Sequence, residues 1–353
     1  MTTILIAGVA GFIGSNFARY LHRHRPDLHL VGVDYLSSAS VYSTIAPLVE
    51  AGALHFVRAD INDTETVTRI YREHGVTRVI NFAAESHNDR AILDPTPFML
   101  SNALGAQQLL EVSRRVGVAR HVHISTIEVY GEQAPDAPPF TAASPLAAKT
   151  PYAAAKAAGD LIVRAYMQTY PDMDIVLTHA GNNYGPWQFP EKLIPLCITN
   201  VLRGRKIPVY GDGLQERDWL HVEDHCRALE RLLLAPRRFQ VGPGAAVDPA
   251  QLPIYDISAR SVVSNLQIVQ LILSALDRPF NDWVEHVTDR PNHDRRYVID
   301  PVRIESELGW QPEAVLETDI DQTVRWYVDN AAWWQPIVAS SRRLQFDWAA
   351  LKV

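Results

Sequence analysis

Tyr152 and Lys156 stand four apart in the run Pro151-Tyr152-Ala153-Ala154-Ala155-Lys156. On a helix that spacing places both side chains on one face. An ammonium beside a phenol favours the phenolate, and a phenolate can take the proton of an alcohol while hydride leaves its carbon. Upstream, Ser125-Thr126-Ile127-Glu128-Val129-Tyr130-Gly131 follows the strand-like run His121–Ile124. A hydroxyl (Thr126) and a carboxylate (Glu128) there would flank the same chemistry, with an isoleucine set between them.

A hydride needs a carrier. Gly8-Val9-Ala10-Gly11-Phe12-Ile13-Gly14 follows the apolar run Thr3–Ala7 and opens a helical stretch. Glycines in that context make a tight turn, let backbone N–H groups approach a pyrophosphate, and let the helix pack on the strand. The helix N-terminus then faces the phosphates. Asp34, ending the second strand, is placed to accept hydrogen bonds from the adenosine ribose hydroxyls. Tyr35–Val49 contains no Arg or Lys to receive a 2′-phosphate, so the expected cofactor is NAD rather than NADP. Asp60 and Ile61, after the third strand, are expected to border the adenine.

These residues must be held by something. Thr3–Ala7, Leu28–Asp34, Leu54–Arg58, Arg78–Ala83, His121–Ser125 and Asp174–Thr178 read as strands, alternating with amphipathic stretches such as Thr64–Glu73 and Asn102–Val116. That alternation predicts an α/β fold, a doubly wound parallel (Rossmann) sheet. We expect residues 1–180 to form it, with some later segments returning. Residues 181–335, with helical runs at Glu223–Leu234, Asn265–Ala275 and Asp319–Asn330, are expected to form a smaller C-terminal α/β substrate-binding lobe. Residues 336–353 read as a tail, a surface or dimer element.

The 353 residues are 47 % apolar with net charge −7 and no basic tract, which argues against a nucleic-acid partner. The two cysteines, Cys197 and Cys226, lie in no metal-ligating cluster, so neither a disulfide framework nor a metal site is expected. There is no basic n-region at the N-terminus and no long uninterrupted apolar run. A cytoplasmic protein without a membrane partner is expected.

Together the glycine turn, Ser125-Thr126 and Tyr152/Lys156 resemble the extended short-chain dehydrogenase/reductases. Ala83-Ala84-Glu85-Ser86-His87-Asn88-Asp89-Arg90, Asn182-Asn183-Tyr184-Gly185-Pro186, Phe189-Pro190-Glu191-Lys192-Leu193-Ile194-Pro195, Gly211-Asp212-Gly213 with Arg217-Asp218-Trp219, Arg290-Pro291-Asn292-His293-Asp294-Arg295-Arg296-Tyr297, and Glu307-Leu308-Gly309-Trp310-Gln311-Pro312 narrow the likeness. They resemble the nucleotide-sugar 4,6-dehydratases, in particular the dTDP-glucose 4,6-dehydratase family. The resemblance implies a dTDP- or UDP-linked hexose as substrate and a homodimer. It implies oxidation at C4 with Tyr152 as base, Lys156 and Thr126 as supports, and Glu128 removing the C5 proton. Ala83 and Ala84 would border NAD. Ser86, His87, Asn182, Glu191, Lys192 and Leu193 would line the substrate pocket, with Arg217, Arg290 and His293 on the diphosphate, where guanidinium forks suit phosphate oxygens. Blander roles stand beside these: an ordinary surface ion pair for Arg217-Asp218, packing for His87 and Asp89, and structural pairing for Arg295 and Arg296.

The chain departs from the family pattern in three places. The family has an aspartate where Ile127 stands, and that aspartate protonates the leaving C6 hydroxyl. A positioned acid contributes roughly 10²–10⁴ in rate. Three readings follow. Glu128 passes the C5 proton to the C6 oxygen. Or the outcome is epimerisation, or a 5,6-elimination with hydride returned to C4. Or an apolar residue near C6 suits a 6-deoxy sugar. His179 stands where the family has an arginine, and Asn292 where it has a glycine. A non-catalytic sensor of NAD and nucleotide sugar is the alternative from another class, against which the retained Thr126, Glu128, Tyr152 and Lys156 argue.

Overall fold

The computed structural model describes residues 2–37, 40–237 and 251–340. Six strands alternate with helices: β1 (Thr3–Ala7), β2 (His29–Asp34), β3 (His55–Arg58), β4 (Arg78–Asn81), β5 (Arg120–Ile124) and β6 (Ile175–Ala180). Four more follow: β7 (Asn182–Tyr184), β8 (Ile207–Tyr210), β9 (Glu216–His221) and β10 (Ile254–Ile257). A parallel seven-stranded sheet runs β10-β6-β5-β4-β1-β2-β3. Its order reverses beside β1, which places the ligand crevice at the carboxyl ends of the strands there.

The seventh strand comes from far along the chain. β10 pairs with β6, Ile254 opposite Leu177. Four residues, Ile-Tyr-Asp-Ile, are too few to declare a period, so only tertiary pairing identifies them as sheet.

Both faces are covered, as an all-parallel sheet requires. Phe12–His24 and Val222–Leu234 pack one face through Phe17, Leu21, Leu229 and Leu232 against Ile4, Ile6, Val122 and Ile124. Thr64–Glu73, Ala106–Val116 and Pro151–Thr169 pack the other, where Val67, Leu109 and Val163 are fully buried. The helix expected over Asn102–Val116 is π-helical at Met99–Gly105 and α-helical only from Ala106. Asn102 is the cause at hand, since its side-chain amide both accepts from Glu85 N and donates to Glu85 O at 2.9 Å. Such irregular turns collect at functional sites. Gly159 is required opposite: a Cβ there would sit 2.5 Å from Asn102 O. This close approach fixes where the Tyr152/Lys156 helix lies.

The second lobe has its own core. Ile198, Ile268, Ile272 and Val324 bury the helices Leu193–Leu202, Asn265–Ala275 and Leu316–Asp329 against one another. Small sheets serve it: β11 (Val262–Ser264) and β13 (Arg296–Tyr297) flank β9, and β12 (Val284–Val287) pairs with β8. The chain after Trp333 continues the helix Ala331–Ser340, with Trp334 and Val338 in this core. Of the expected tail, residues 341–353 lie outside the described residues.

Candidate active site

The glycine turn is dictated by contact. Gly8 has φ 75°, and a Cβ on it would lie 2.6 Å from Ala83 N; one on Gly14 would lie 2.3 Å from Gly8 O. Gly11 caps the helix Phe12–His24 without any side-chain hydrogen bond. The N–H groups of that first turn have no intrahelical acceptor and face a cavity of about 560 Å³ lined by Gly8, Gly11, Phe12, Ile13 and Gly14. Asp34, Asp60, Ile61, Ala83 and Ala84 line the same cavity, so every residue expected to touch the cofactor borders it. Asp34 is buried rather than solvated, its carboxylate accepting from Ala10 N at 3.0 Å and Leu36 N at 2.8 Å. A dinucleotide fits this surface: free N–H groups, backbone open to close approach, and a carboxylate at the end of β2 with lone pairs left over.

The far end of the cavity is lined by Thr126, Glu128, Tyr152 and Lys156. Thr150 caps the helix Pro151–Thr169 by accepting from Ala153 N. Tyr152 is buried, and burial together with the Glu128 charge raises its phenol well above the ordinary value, while the Thr126 hydroxyl pulls it down. Lys156 is buried too, and burial lowers its ammonium to about 8, opposed by Asp160. The expectation that Lys156 depresses the phenol is therefore not what the protein alone displays. Lys156 spends a hydrogen bond on Ile124 O at 2.6 Å, and desolvation dominates both groups.

Glu128 sits in a 3₁₀ turn, Ile127–Tyr130, and its own N–H donates to the Thr126 hydroxyl that caps the turn. Ile127 is 2 % exposed and packs with Val129, Tyr130, Ala157, Tyr297 and Ile299. It lines neither this cavity nor the next. It packs on Tyr297, which does line the second cavity.

A second cavity, about 190 Å³, opens from the first. Ser86, Glu128, Asn182, Glu191 and Lys192 line both. Its own walls include His87, Leu193, Arg217, Arg290 and His293. Lys192 donates to Ser86 O; burial lowers its ammonium, against the pull of Glu191 and Glu128. Arg90 pairs with Glu191 at 2.7 Å. His87 is held well below its ordinary value by burial and by Lys192, Arg90 and Arg290. Its 3.8 Å approach to Glu191 is thus no ion pair. Arg290 reaches Asp89 at 3.3 Å, and Tyr210 donates to the other Asp89 oxygen at 2.8 Å.

Arg217-Asp218 is not a surface pair. Both are buried; Arg217 donates to Glu216 O and Asp294 O and stacks on Tyr297 at 4.3 Å, while Asp218 accepts from Ser261 N. Arg295 and Arg296 pair with Asp212 and Glu216. Asn292 has φ 50°, a left-handed conformation that asparagine tolerates and glycine prefers, which accounts for the family's glycine.

The sequence reading missed the residues that hold this site together. Asn88 donates to Glu128 Oε2 at 2.8 Å and accepts from Thr150 Oγ1 at 2.9 Å. At the far end of the turn, Tyr130 meets His179 at 2.9 Å and donates to Asp256 at 3.0 Å. No spacing rule points to these, although the departure at 179 was a signal.

The family model described as GDP-mannose 4,6 dehydratase matches residues 5–323. The dTDP-glucose 4,6-dehydratase of Xanthomonas campestris pv. campestris is 42 % identical over 363 residues, covering 98 % of each chain. The crystal structure of the dTDP-glucose 4,6-dehydratase of Streptomyces venezuelae with NAD bound is similar at TM-score 0.86 and 39 % identity, covering 95 % of this chain and 100 % of that one. The UDP-glucose 4-epimerase of Thermus thermophilus in complex with NAD is similar at TM-score 0.81 and 26 % identity, covering 93 % of this chain and 100 % of that one.

Proposed function

We propose, from the premise that the chain belongs to the GDP-mannose 4,6 dehydratase family, that it is an NAD-dependent nucleotide-sugar 4,6-dehydratase acting on a dTDP-linked hexose. The observation that carries this reading is the position of Glu128. It borders both cavities and stands beside Tyr152, where one pocket would present a sugar to the other.

NAD would be held by the Gly8–Gly14 turn and Asp34 and would supply the hydride acceptor for C4 and the hydride returned to C6. Tyr152 takes the proton of the C4 hydroxyl, with Thr126 and Lys156 in support. The C4 ketone acidifies the C5 proton, and Glu128 removes it. Glu128, now a carboxylic acid, passes that proton to the C6 hydroxyl; the C6–O bond breaks, water leaves and a C5–C6 double bond forms. Once hydride is returned to C6, the enolate takes a solvent-derived proton at C5 by way of Glu128, which leaves the C4 ketone in place. A proton removed and a proton supplied on one face need only one carboxyl. The diphosphate lies against Arg217, Arg290 and His293.

A second reading has support from one feature. The acid position is Ile127, buried in an apolar cluster, so epimerisation at C5, which expels no C6 hydroxyl, would need no acid there; a 5,6-elimination with hydride returned to C4 releases the same water and would rely on Glu128 as the dehydration does. Mass spectrometry together with proton NMR of the product from a panel of nucleotide sugars separates the readings. Loss of one water with a 4-keto-6-deoxy product supports the dehydratase; an isomer of unchanged mass overturns it. A 5,6-ene with a C4 hydroxyl has the same mass as the 4-keto-6-deoxy sugar, and its appearance overturns the dehydratase as well.

We also propose a homodimer in the cytoplasm. Leu93, Met99 and Leu161 are exposed on the helical stretches Asn88–Gly105 and Pro151–Thr169, an apolar face of the kind that marks an interaction surface; Leu100 and Leu104 on the same stretch line the cofactor cavity. A second copy would cover that face. Light scattering of Leu161→Asp should report a monomer. Both cysteines are free and buried, and no helix of the described residues is long and apolar enough to cross a membrane.

A further inference from the structure

His179 lies under the active site, fully buried at the interface of the sheet with the Tyr152/Lys156 helix. It touches three elements. Its Nε2 is 2.8 Å from Asp160 Oδ2, one helical turn beyond Lys156. Its Nδ1 is 3.0 Å from Asp256 Oδ1 on β10 and 2.9 Å from the Tyr130 hydroxyl. Tyr130 closes the turn that carries Glu128.

That turn is otherwise held by forces of two kinds. Ile127 and Val129 sit in an apolar cluster, and apolar burial is non-directional. The directional side-chain bonds that tie the turn to other elements are Asn88 at Glu128 and the Tyr130 hydroxyl at His179 and Asp256, beside one backbone bond from Ala147 N to Val129 O at 2.9 Å. Both side-chain links tie the turn to the same helix. Asn88 reaches it at Thr150, the N-cap, and His179 reaches it at Asp160. Tyr152 and Lys156 lie between these two attachment points.

We infer that His179 is a positioning residue: bridging Tyr130 and Asp160, with Asp256 as backstop, it fixes the Glu128 turn against the helix that carries Tyr152 and Lys156. The two departures from the family pattern are then parts of one device, since the turn containing Ile127 is anchored by His179. The charge bookkeeping is consistent. Burial works against an imidazolium, but Asp160 and Asp256 outweigh it and raise His179 to about 9, so the ring can donate to both carboxylates at neutral pH. Lys156, His123 and Arg164 are the other charged or titratable groups facing this cluster.

This rests on Glu128 being the C5 base, so the test has one readout that depends on that reading and one that does not. Tyr130→Phe removes the hydroxyl and leaves His179 between its carboxylates; His179→Gln removes the cation. In Tyr130→Phe, hydrogen–deuterium exchange at amides 127–131 should rise about fivefold while the rest of the sheet is unchanged, as expected for losing one buried hydrogen bond. With dTDP-glucose and NAD, solvent deuterium entry at C5 should fall about 10- to 100-fold, the scale of an ångström misplacement, with KM and the NADH transient within about threefold. Unchanged exchange at 127–131 in Tyr130→Phe overturns the inference whatever the substrate. Faster exchange with unchanged C5 labelling overturns the catalytic consequence. If His179→Gln fails to fold, Asp160→Asn, which weakens the hold of His179 on the helix while leaving the Tyr130–Asp256 bond in place, decides by the same two readouts. Wild-type protein that shows no NADH transient with any nucleotide sugar would overturn the dehydratase reading and leave the exchange test standing.

Discussion

Asn88 joins Glu128 to Thr150: one side-chain amide donates to the carboxylate at 2.8 Å and accepts the hydroxyl at 2.9 Å. The base proposed for C5 is thereby aimed by the N-cap of the helix that presents Tyr152. Glu128→Gln keeps the shape and an acceptor for Asn88 but cannot take a proton. Deuterium entry at C5 should fall by roughly 10²–10⁴, with C4 oxidation still visible as an NADH transient. Labelling at the wild-type rate would remove Glu128 from the mechanism.

Tyr152→Phe should abolish cofactor reduction. The hydroxyl is the group expected to take the C4 proton, and no other phenol lines the end of the cavity near Lys156 among the described residues. Stopped-flow absorbance with dTDP-glucose and NAD checks it; near-normal turnover would sink the assignment.

Ile127→Asp is a sharper test than its chemistry suggests. Restoring the family's aspartate looks as if it should speed dehydration of a 6-hydroxy hexose. The position, however, is 2 % exposed among Val129, Tyr130 and Ile299. Burying a carboxyl in that cluster should cost about 2–4 kcal/mol and bring no rate gain. Denaturant unfolding and product formation measure both; a faster and undiminished protein would show that the turn can rotate residue 127 into the cavity.

Stability should depend on pH through His179. Its folded value is raised from 6.5 to about 9, so the folded state holds its proton more tightly. The stabilisation is complete below pH 6.5 and is lost as pH rises through 9. Between pH 6.5 and 8 the loss should be on the order of 1.5 kcal/mol. Lys156, lowered to about 8, becomes less costly only above that window. His121 and His225, held near 3 by burial, and His87 and His123, also held well below their ordinary value, take up protons only on unfolding, so they add stability as pH rises through 6.5 and oppose the His179 slope. The His179 contribution is therefore read as a difference: in urea unfolding, the stability gap between wild type and His179→Gln should narrow by on the order of 1.5 kcal/mol from pH 6.5 to 8.

The sheet was legible because its strands and helices alternate with clear periods, and the glycine turn because a left-handed Gly8 and a crowded Gly14 admit no other residue. Tyr152/Lys156 was legible because helical spacing alone puts two residues on one face. What tertiary structure decided lies in contacts between distant segments. β10 becomes sheet only by pairing with β6, and Arg217-Asp218, polar enough to suggest the surface, is buried by β9's neighbours. Burial is the largest cause of the shifts at both Tyr152 and Lys156, raising the phenol and lowering the ammonium. Ile127 marks the limit most clearly. Its sequence position lies between two site residues, but a 3₁₀ turn sends successive side chains to different sides. Thr126 and Glu128 therefore face the cavity while Ile127 faces the core.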